Sequence, residues 1–286
     1  MSDFIILTDA TLDLPEDVIS DWNIEVIPMP FHVNGNSYLH YPDERQLANQ
    51  EFYKSLREGA FATTAQISPN IFEDEFRKYL DMGKDILCIS FSSGLSGTYQ
   101  SACIARMNVE EEYPKQKVIC VDSLCASIGL GMILYYISKL RKEGMEIEEV
   151  ASWIKRERLH IRHWFCVEDL NYLKKGGRIT SVEAVIGSAL KIKPVLSMDE
   201  EGHLVLVSKV RGNKKALSFL VSRLKEEEKE IKELVLVGHA DAIESAECMK
   251  KMILEEKLAK KVLLTNIGPI IGTHVGPGMV ALSFYE

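Results

Sequence analysis

The sequence predicts an α/β fold made of two α/β domains, the first built on a mostly parallel sheet and the second on a mixed one. Three observations carry this. Short apolar runs rich in Ile, Val and Phe alternate with amphipathic segments, the rhythm of strands joined by crossover helices. The runs IILTD, ILCIS and VICVD lack polar alternation, as strands buried on both faces of a parallel sheet do. Past residue 160 the rhythm changes, and KPVLSMDEEGHLVLVSKVR reads as an antiparallel hairpin around the turn DEEG.

In chain order, strands are expected at 4–7, 25–33, 86–91 and 118–121, and helices at 15–21, 44–59, 69–83, 95–108 and 123–143. Ser68 before Pro69 is a strong helix start, a capping residue followed by proline at the first helical position. After a charged helix over 147–159 come the strand HWFCV, a short helix, the breaker pair Gly176 and Gly177, and a helix capped by Thr180 or Ser181. The hairpin follows, then a helix over 213–230, the strand ELVLVGH, a helix over 241–257, the strand KVLLTN and a last strand MVALSFY. A boundary near 160 divides the chain into an N-terminal domain, 1–160, and a C-terminal mixed domain, 161–286.

With 286 residues the chain has ample length for real cores. Its formal net charge of −8 argues against a general nucleic-acid binder, which needs a basic face to replace counterions around phosphates. The opening MSDFIILTDA lacks a basic n-region and reads as a first strand rather than a signal peptide. No apolar run approaches the roughly 20 residues that span a bilayer, so a cytoplasmic protein is expected. The six cysteines form no CxxC pair, which suits reduced thiols. The seven histidines show no HExxH, and neither a metal nor a cofactor is indicated.

Three stretches carry chemistry. SSGLSGTYQSA, one residue after the strand run ILCIS, places hydroxyls and glycines where a strand hands over to a helix. Open α/β sheets bind ligands at such places, and the helix start aims unpaired N–H groups there. The site suits a carboxylate or phosphate; the plainer alternative is that Ser92 or Ser93 caps the helix. TTAQISP, 63–69, brings Thr63, Thr64 and Gln66, which helix capping does not explain. IGPIIGTHVGPGMV, 267–280, sets Thr273 and His274 in a glycine-rich path, His274 being either structural or a proton carrier and phosphate contact. Arg178 and Arg211 stand at element ends, where each is a grip for an anion or a solvated charge. A serine hydrolase is the rival reading: Ser96, Asp169 or Asp241, and His274 follow the Ser, Asp, His order of one hydrolase class. Thr98, however, stands where the nucleophile elbow G-x-S-x-G needs its second glycine.

Taken in order, TDATLDLP, TTAQISP, SSGLSGTYQSA, VEDLNYLKKGGRI and IGPIIGTHVGPGMVAL resemble the DegV family of bacterial fatty-acid-binding proteins that serve fatty acid kinase, over essentially the whole chain. The resemblance implies a two-domain, non-catalytic carrier. It would hold one long-chain fatty acid in an apolar tunnel, present it to the kinase's catalytic subunit for acyl-phosphate formation, and touch the membrane surface transiently to collect its cargo. On the same basis Thr64, Ser93 and Ser96 would bind the carboxylate, and Arg178, Arg211, Thr273 and His274 would line the entrance and handle the phosphate. The apolar segment VEAVIGSALKI, 182–192, is either a wall of that tunnel or an ordinary core helix. Two motifs depart from the family pattern: Ala65 and Ile67 replace a serine and a proline, and Ala10 replaces a serine. A lipid sensor without a kinase partner fits the same residues.

Overall fold

The computed structural model describes residues 4–179, 192–226 and 230–286. The chain opens with β1 (Phe4–Asp9), α1 (Glu16–Asp21) and β2 (Ile24–Ile27). There follow β3 (Met29–Val33), β4 (Asn36–His40), α2 (Asn49–Arg57) and β5 (Ala62–Thr64). Next are α3 (Pro69–Leu80), β6 (Asp85–Ser90), α4 (Thr98–Glu110), β7 (Val118–Asp122), α5 (Ile128–Lys142) and α6 (Ile147–Glu157). After a 3-10 turn, Arg158–His160, come β8 (Ile161–Cys166), α7 (Asn171–Lys175), β9 (Ile192–Met198), β10 (Leu204–Arg211) and α8 (Asn213–Glu226). The chain closes with β11 (Lys232–His239), α9 (Ile243–Glu255), β12 (Ala259–Asn266), α10 (Pro269–Val275) and β13 (Val280–Tyr285).

The expected fold class holds. A four-stranded sheet, ordered β2-β1-β6-β7, is parallel throughout. A six-stranded sheet, ordered β10-β9-β8-β13-β11-β12, is mixed: β11 and β12 run parallel and its other pairs antiparallel. The hairpin around DEEG is β9 and β10, its turn closed by Asp199, whose Oδ1 accepts the N–H groups of Glu201 (3.1 Å) and His203 (2.8 Å). Helix α6 starts with a reciprocal capping box between Glu146 and Glu149.

Several expectations are corrected. The run 25–33 is two strands rather than one: Pro28 separates them, β2 stays in the parallel sheet, and β3 pairs with β4 and β5 in a third, antiparallel sheet. Helix α3 does begin at Pro69 after Ser68, but the Ser68 side chain makes no capping bond. Helix α5 starts at Ile128 rather than near 123, because Leu124 (φ 49°) and Ser127 (φ 53°) lie in the left-handed region. The path 267–280 is not all loop; it holds α10, with Pro269 at its first turn and Gly276 (φ 71°) ending it. The segment 182–192 lies outside the described residues except for Ile192, and so do Thr180 and Ser181.

Helix α5 is apolar nearly all round and packs in the central core against the six-stranded sheet, with Leu14 of the first half close by. At its end the buried Arg141 donates to the carbonyls of Phe4 (3.3 Å), Trp22 (2.8 Å) and Asn23 (2.9 Å). A second core fills the far face of the six-stranded sheet beneath α8 and α9.

Two buried aspartate carboxyl groups tie the loops beyond the parallel strands. Asp9 accepts from the Thr11 N–H (3.1 Å), the Thr11 hydroxyl (2.5 Å) and the Phe91 N–H (2.9 Å), which fixes where the chain leaves β6. Asp13 accepts from the Ser127 hydroxyl (2.5 Å) and the Gly268 N–H (2.7 Å), joining the starts of α5 and α10. Burial raises both carboxyls, Asp13 to about 8. Between its ordinary value of 3.8 and about 8, folded Asp13 holds a proton that the unfolded chain has lost, so stability falls as pH rises through that window. Burial lowers His40, His163 and His274 to about 4, which makes stability rise with pH up to their ordinary 6.5 and adds no slope above it. Asp13→Asn keeps the shape and removes the proton. We therefore expect the stability difference between parent and D13N, measured by urea unfolding, to shrink with rising pH from 4 to 8 by at most about 1.4 kcal/mol per unit. A pH-independent difference would contradict a proton retained on Asp13.

Candidate functional site

The loop after β6 shows where the hydroxyls of SSGLSGTYQSA go. Ser92 donates to the Gly202 carbonyl in the hairpin turn (2.8 Å) and accepts the Gly94 N–H (3.2 Å). The Ser93 N–H donates to Asp122 Oδ1 (3.1 Å), and Ser93 is not on the cavity wall described next. Ser101 accepts from Gln66 Nε2 (3.3 Å). Ser96 alone of the serines from this loop lines the cavity, its hydroxyl paired with that of Thr98 (2.9 Å) and accepting the Thr98 N–H (3.2 Å).

The cavity, about 290 Å³, lies between the C-terminal ends of the parallel strands and the inner face of the six-stranded sheet. Phe91, Leu95, Leu173, Ile271, Val275 and Met279 give it apolar walls. Beside it is a second, more polar recess of about 380 Å³, lined by Thr63, Asp169, Tyr172, Lys175 and Thr273 among others. Among the described residues, Thr64, Arg178 and His274 are the three that line both spaces, and they form a polar doorway between them.

Each doorway group is placed by a different element. Thr64 ends β5, and β5 owes its position to pairing with β3, Thr64 opposite Phe31. His274 sits on α10, whose start Asp13 holds. Arg178 follows α7; its Nε donates to the Leu95 carbonyl (3.1 Å) and its Nη1 to that of Gly176, which stretches the guanidinium across the opening. Gly176 is needed here because a Cβ on it would collide with His274 Nδ1. Thr273 faces the recess, but its hydroxyl donates to the Pro269 carbonyl within α10 (2.7 Å). Arg211, the exposed last residue of β10 opposite Ile192, lines neither space.

Thr64 Oγ1 and His274 Nε2 are 2.8 Å apart. Burial, with the Arg178 charge as a smaller cause, holds His274 down at about 4, so it is neutral at physiological pH. His274 Nδ1 is buried without a hydrogen-bond partner among the described residues. An orphaned N–H costs more than an orphaned acceptor, which assigns the proton to Nε2. Nε2–H then donates to Thr64 Oγ1 and leaves the Thr64 O–H free to donate to a ligand oxygen. Arg178 is half-buried, and although burial lowers its guanidinium it remains a cation. A free hydroxyl donor beside a fixed cation suits a carboxylate. Ser96 pairs with Thr98 and His274 with Thr64, so no serine and histidine form a nucleophile and base pair here among the described residues. Sequence reasoning did not single out Lys175, which lines the recess, the contact of Gly176 with His274, or the two buried aspartates; the quoted motifs VEDLNYLKKGGRI and TDATLDLP contain all four residues.

The DegV family model matches residues 3–286. A DegV domain-containing protein of Clostridium perfringens is 37% identical over 288 residues, 99% of this chain and 98% of that one. Among solved structures, a DegV family protein from Thermus thermophilus, described for its fatty acid binding, aligns with a TM-score of 0.89 at 30% identity, covering 99% of each chain. A DegV lipid-binding protein from Thermotoga maritima aligns with a TM-score of 0.87 at 30% identity, covering 99% of this chain and 98% of that one. The chain belongs to the DegV family.

Proposed function

We propose that this protein is a non-catalytic carrier that holds one long-chain fatty acid in the cavity, with the carboxylate at the doorway. The observation that carries this is the shared lining: Thr64, Arg178 and His274 face an apolar cavity on one side and a polar recess on the other. A molecule with one anionic end and a long apolar body matches that change of polarity. Each buried methylene contributes about 0.8 kcal/mol, so an acyl chain drives tight binding with few polar contacts. The fatty acid binding of the Thermus thermophilus relative supports the same ligand class.

The recess supports the rest of the reading. It leaves the carboxylate reachable from outside, with Lys175, Arg178, Thr273 and His274 around the point where a fatty acid kinase would deliver a phosphoryl group. The carrier then takes the acyl phosphate onward in the cytoplasm, collecting new cargo by brief contact with the membrane surface. Among the described residues no helix is long and apolar enough to cross a membrane. Arg211, remote from both spaces, has no assigned part.

Native mass spectrometry of the purified protein, followed by organic extraction, is expected to show a mass increment of one fatty acid. Protein that carries none and also refuses added octadecanoic acid would overturn the reading.

Thr64→Ala removes the donor to the carboxylate and is expected to weaken fatty-acid affinity roughly 5- to 150-fold, the range for about 1–3 kcal/mol lost with a buried polar partner. His274→Ala acts through Thr64, so the double variant should bind about as weakly as T64A alone. Independent, additive losses in titrations of the two single variants and the double would refute the linkage.

A further inference from the structure

The last residues of β11 and β12, His239 and Asn266, lie side by side in a parallel pair. Beyond them the chain parts. From β11 it turns to α9, which packs in the core on the far face of the six-stranded sheet, and from β12 it turns to α10, which packs in the central core. Neighbouring parallel strands whose connections leave toward opposite faces open a crevice at their carboxyl ends, the place where open α/β sheets bind ligands. Here the crevice measures about 470 Å³ and is closed by Asn49 and Tyr53 of α2, the Tyr53 hydroxyl donating to the Ile267 carbonyl (2.7 Å). It shares no lining residue with the apolar cavity or with the recess beside that cavity.

Two groups in the crevice are left unused by the fold. His239 is 6% exposed, and its Nδ1 accepts the Ala242 N–H (3.4 Å), which puts the ring proton on Nε2. Nε2 has no hydrogen-bond partner among the described residues, yet unlike His163 Nε2 and His274 Nδ1 it is not sealed off by protein and keeps access from the crevice that the residue lines. Burial lowers the imidazole below its ordinary value, so at physiological pH it is a neutral N–H donor. The second group is Glu44, whose carboxylate is held by a neutral residue, accepting the Asn49 N–H (2.8 Å) and Asn49 Nδ2 (2.8 Å). Asp241, also in the lining, already receives Arg57 Nε at its Oδ2 (2.7 Å). Among the described residues no lysine or arginine lines the crevice, so nothing in its wall balances the Glu44 charge.

We propose that this crevice is a second ligand site, separate from the cavity, and that it takes a small hydroxylated primary amine, with the ammonium on Glu44 and a hydroxyl oxygen on His239 Nε2–H. The unbalanced carboxylate selects a cation and rejects phosphates and carboxylates. The imidazole N–H requires an acceptor, which an alkyl ammonium alone does not offer and a hydroxyl does. Asn266, exposed beside His239, brings an amide that pairs with a further hydroxyl in either sense. Among the described residues no three imidazole and carboxylate groups of the crevice come close enough together to hold a metal ion. The proposal stands independently of the fatty-acid reading.

The test is calorimetric titration of the purified protein with ethanolamine and glucosamine, and with their amine-free counterparts ethane-1,2-diol and glucose. The parent should bind at least one of the two amines at millimolar concentration, and its counterpart at least about tenfold more weakly, as expected for a lost hydrogen bond to a charged group. Glu44→Gln should abolish the preference for the amine, and His239→Phe, which keeps a ring but no donor, should weaken amine binding at least roughly fivefold. Asn266→Ala alters an exposed residue and should also weaken binding, which covers the case in which a change at the buried His239 prevents folding. Cooperative urea unfolding identifies the folded variants. Failure of both amines to bind, equal binding of the amine-free counterparts, or binding that is undiminished in both E44Q and N266A would overturn the proposal.

Discussion

The site depends on two aspartate carboxyl groups that have been taken out of water. A buried carboxyl is costly unless it is neutralised or its oxygens are hydrogen-bonded, so each aspartate strongly favours the one arrangement that satisfies it. Asp9 holds the Phe91 N–H and thereby the start of the loop that carries Ser96. Asp13 holds the Gly268 N–H and the Ser127 hydroxyl, fixing the start of α10, which carries Thr273 and His274, to the start of α5. The Thr265 hydroxyl donates to the Asp13 carbonyl and adds the end of β12 to the same junction. One short stretch at the end of the first strand and just beyond it thus holds the loops at Phe91, Ser127 and Gly268, and the doorway inherits its geometry from them.

On that frame the chemistry is simple. Arg178 supplies a fixed positive charge, and burial keeps His274 neutral, so that it orients Thr64 rather than competing for the anion. Behind the doorway the walls turn apolar, and the core helix α5 contributes through Ile128 at its start. Among the described residues the Ser96 hydroxyl is paired with that of Thr98 rather than with a base.

Much of the fold was legible in the sequence because its signals are local. Unalternating apolar runs located β1, β6 and β7, and the turn DEEG located the hairpin. The third sheet was not legible, because β4 and β5 are short and polar and acquire their identity only by pairing with β3, itself hidden in a run that Pro28 breaks. Helix α10 was hidden by its glycines, although Pro269 at its start and Gly276 at its end are ordinary boundary residues. Within the site, Thr64, Ser96, Arg178 and His274 converge as a cluster, while Ser93 turns its backbone to Asp122 and Arg211 stays on a remote strand end. Composition and spacing show which loops carry hydroxyls, but which hydroxyl faces a cavity is decided by neighbours up to 210 positions away, as between Thr64 and His274.

The most direct test of the central claim, that the anionic end of the ligand sits at the doorway and its body in the cavity, is a crystal structure of the protein with a bound long-chain fatty acid. The account requires a carboxyl oxygen within about 2.6–3.2 Å of Thr64 Oγ1, close to Arg178, with the chain running inward past His163. A carboxyl group at the opposite end of the cavity, or a ligand lodged elsewhere on the molecule, would contradict it.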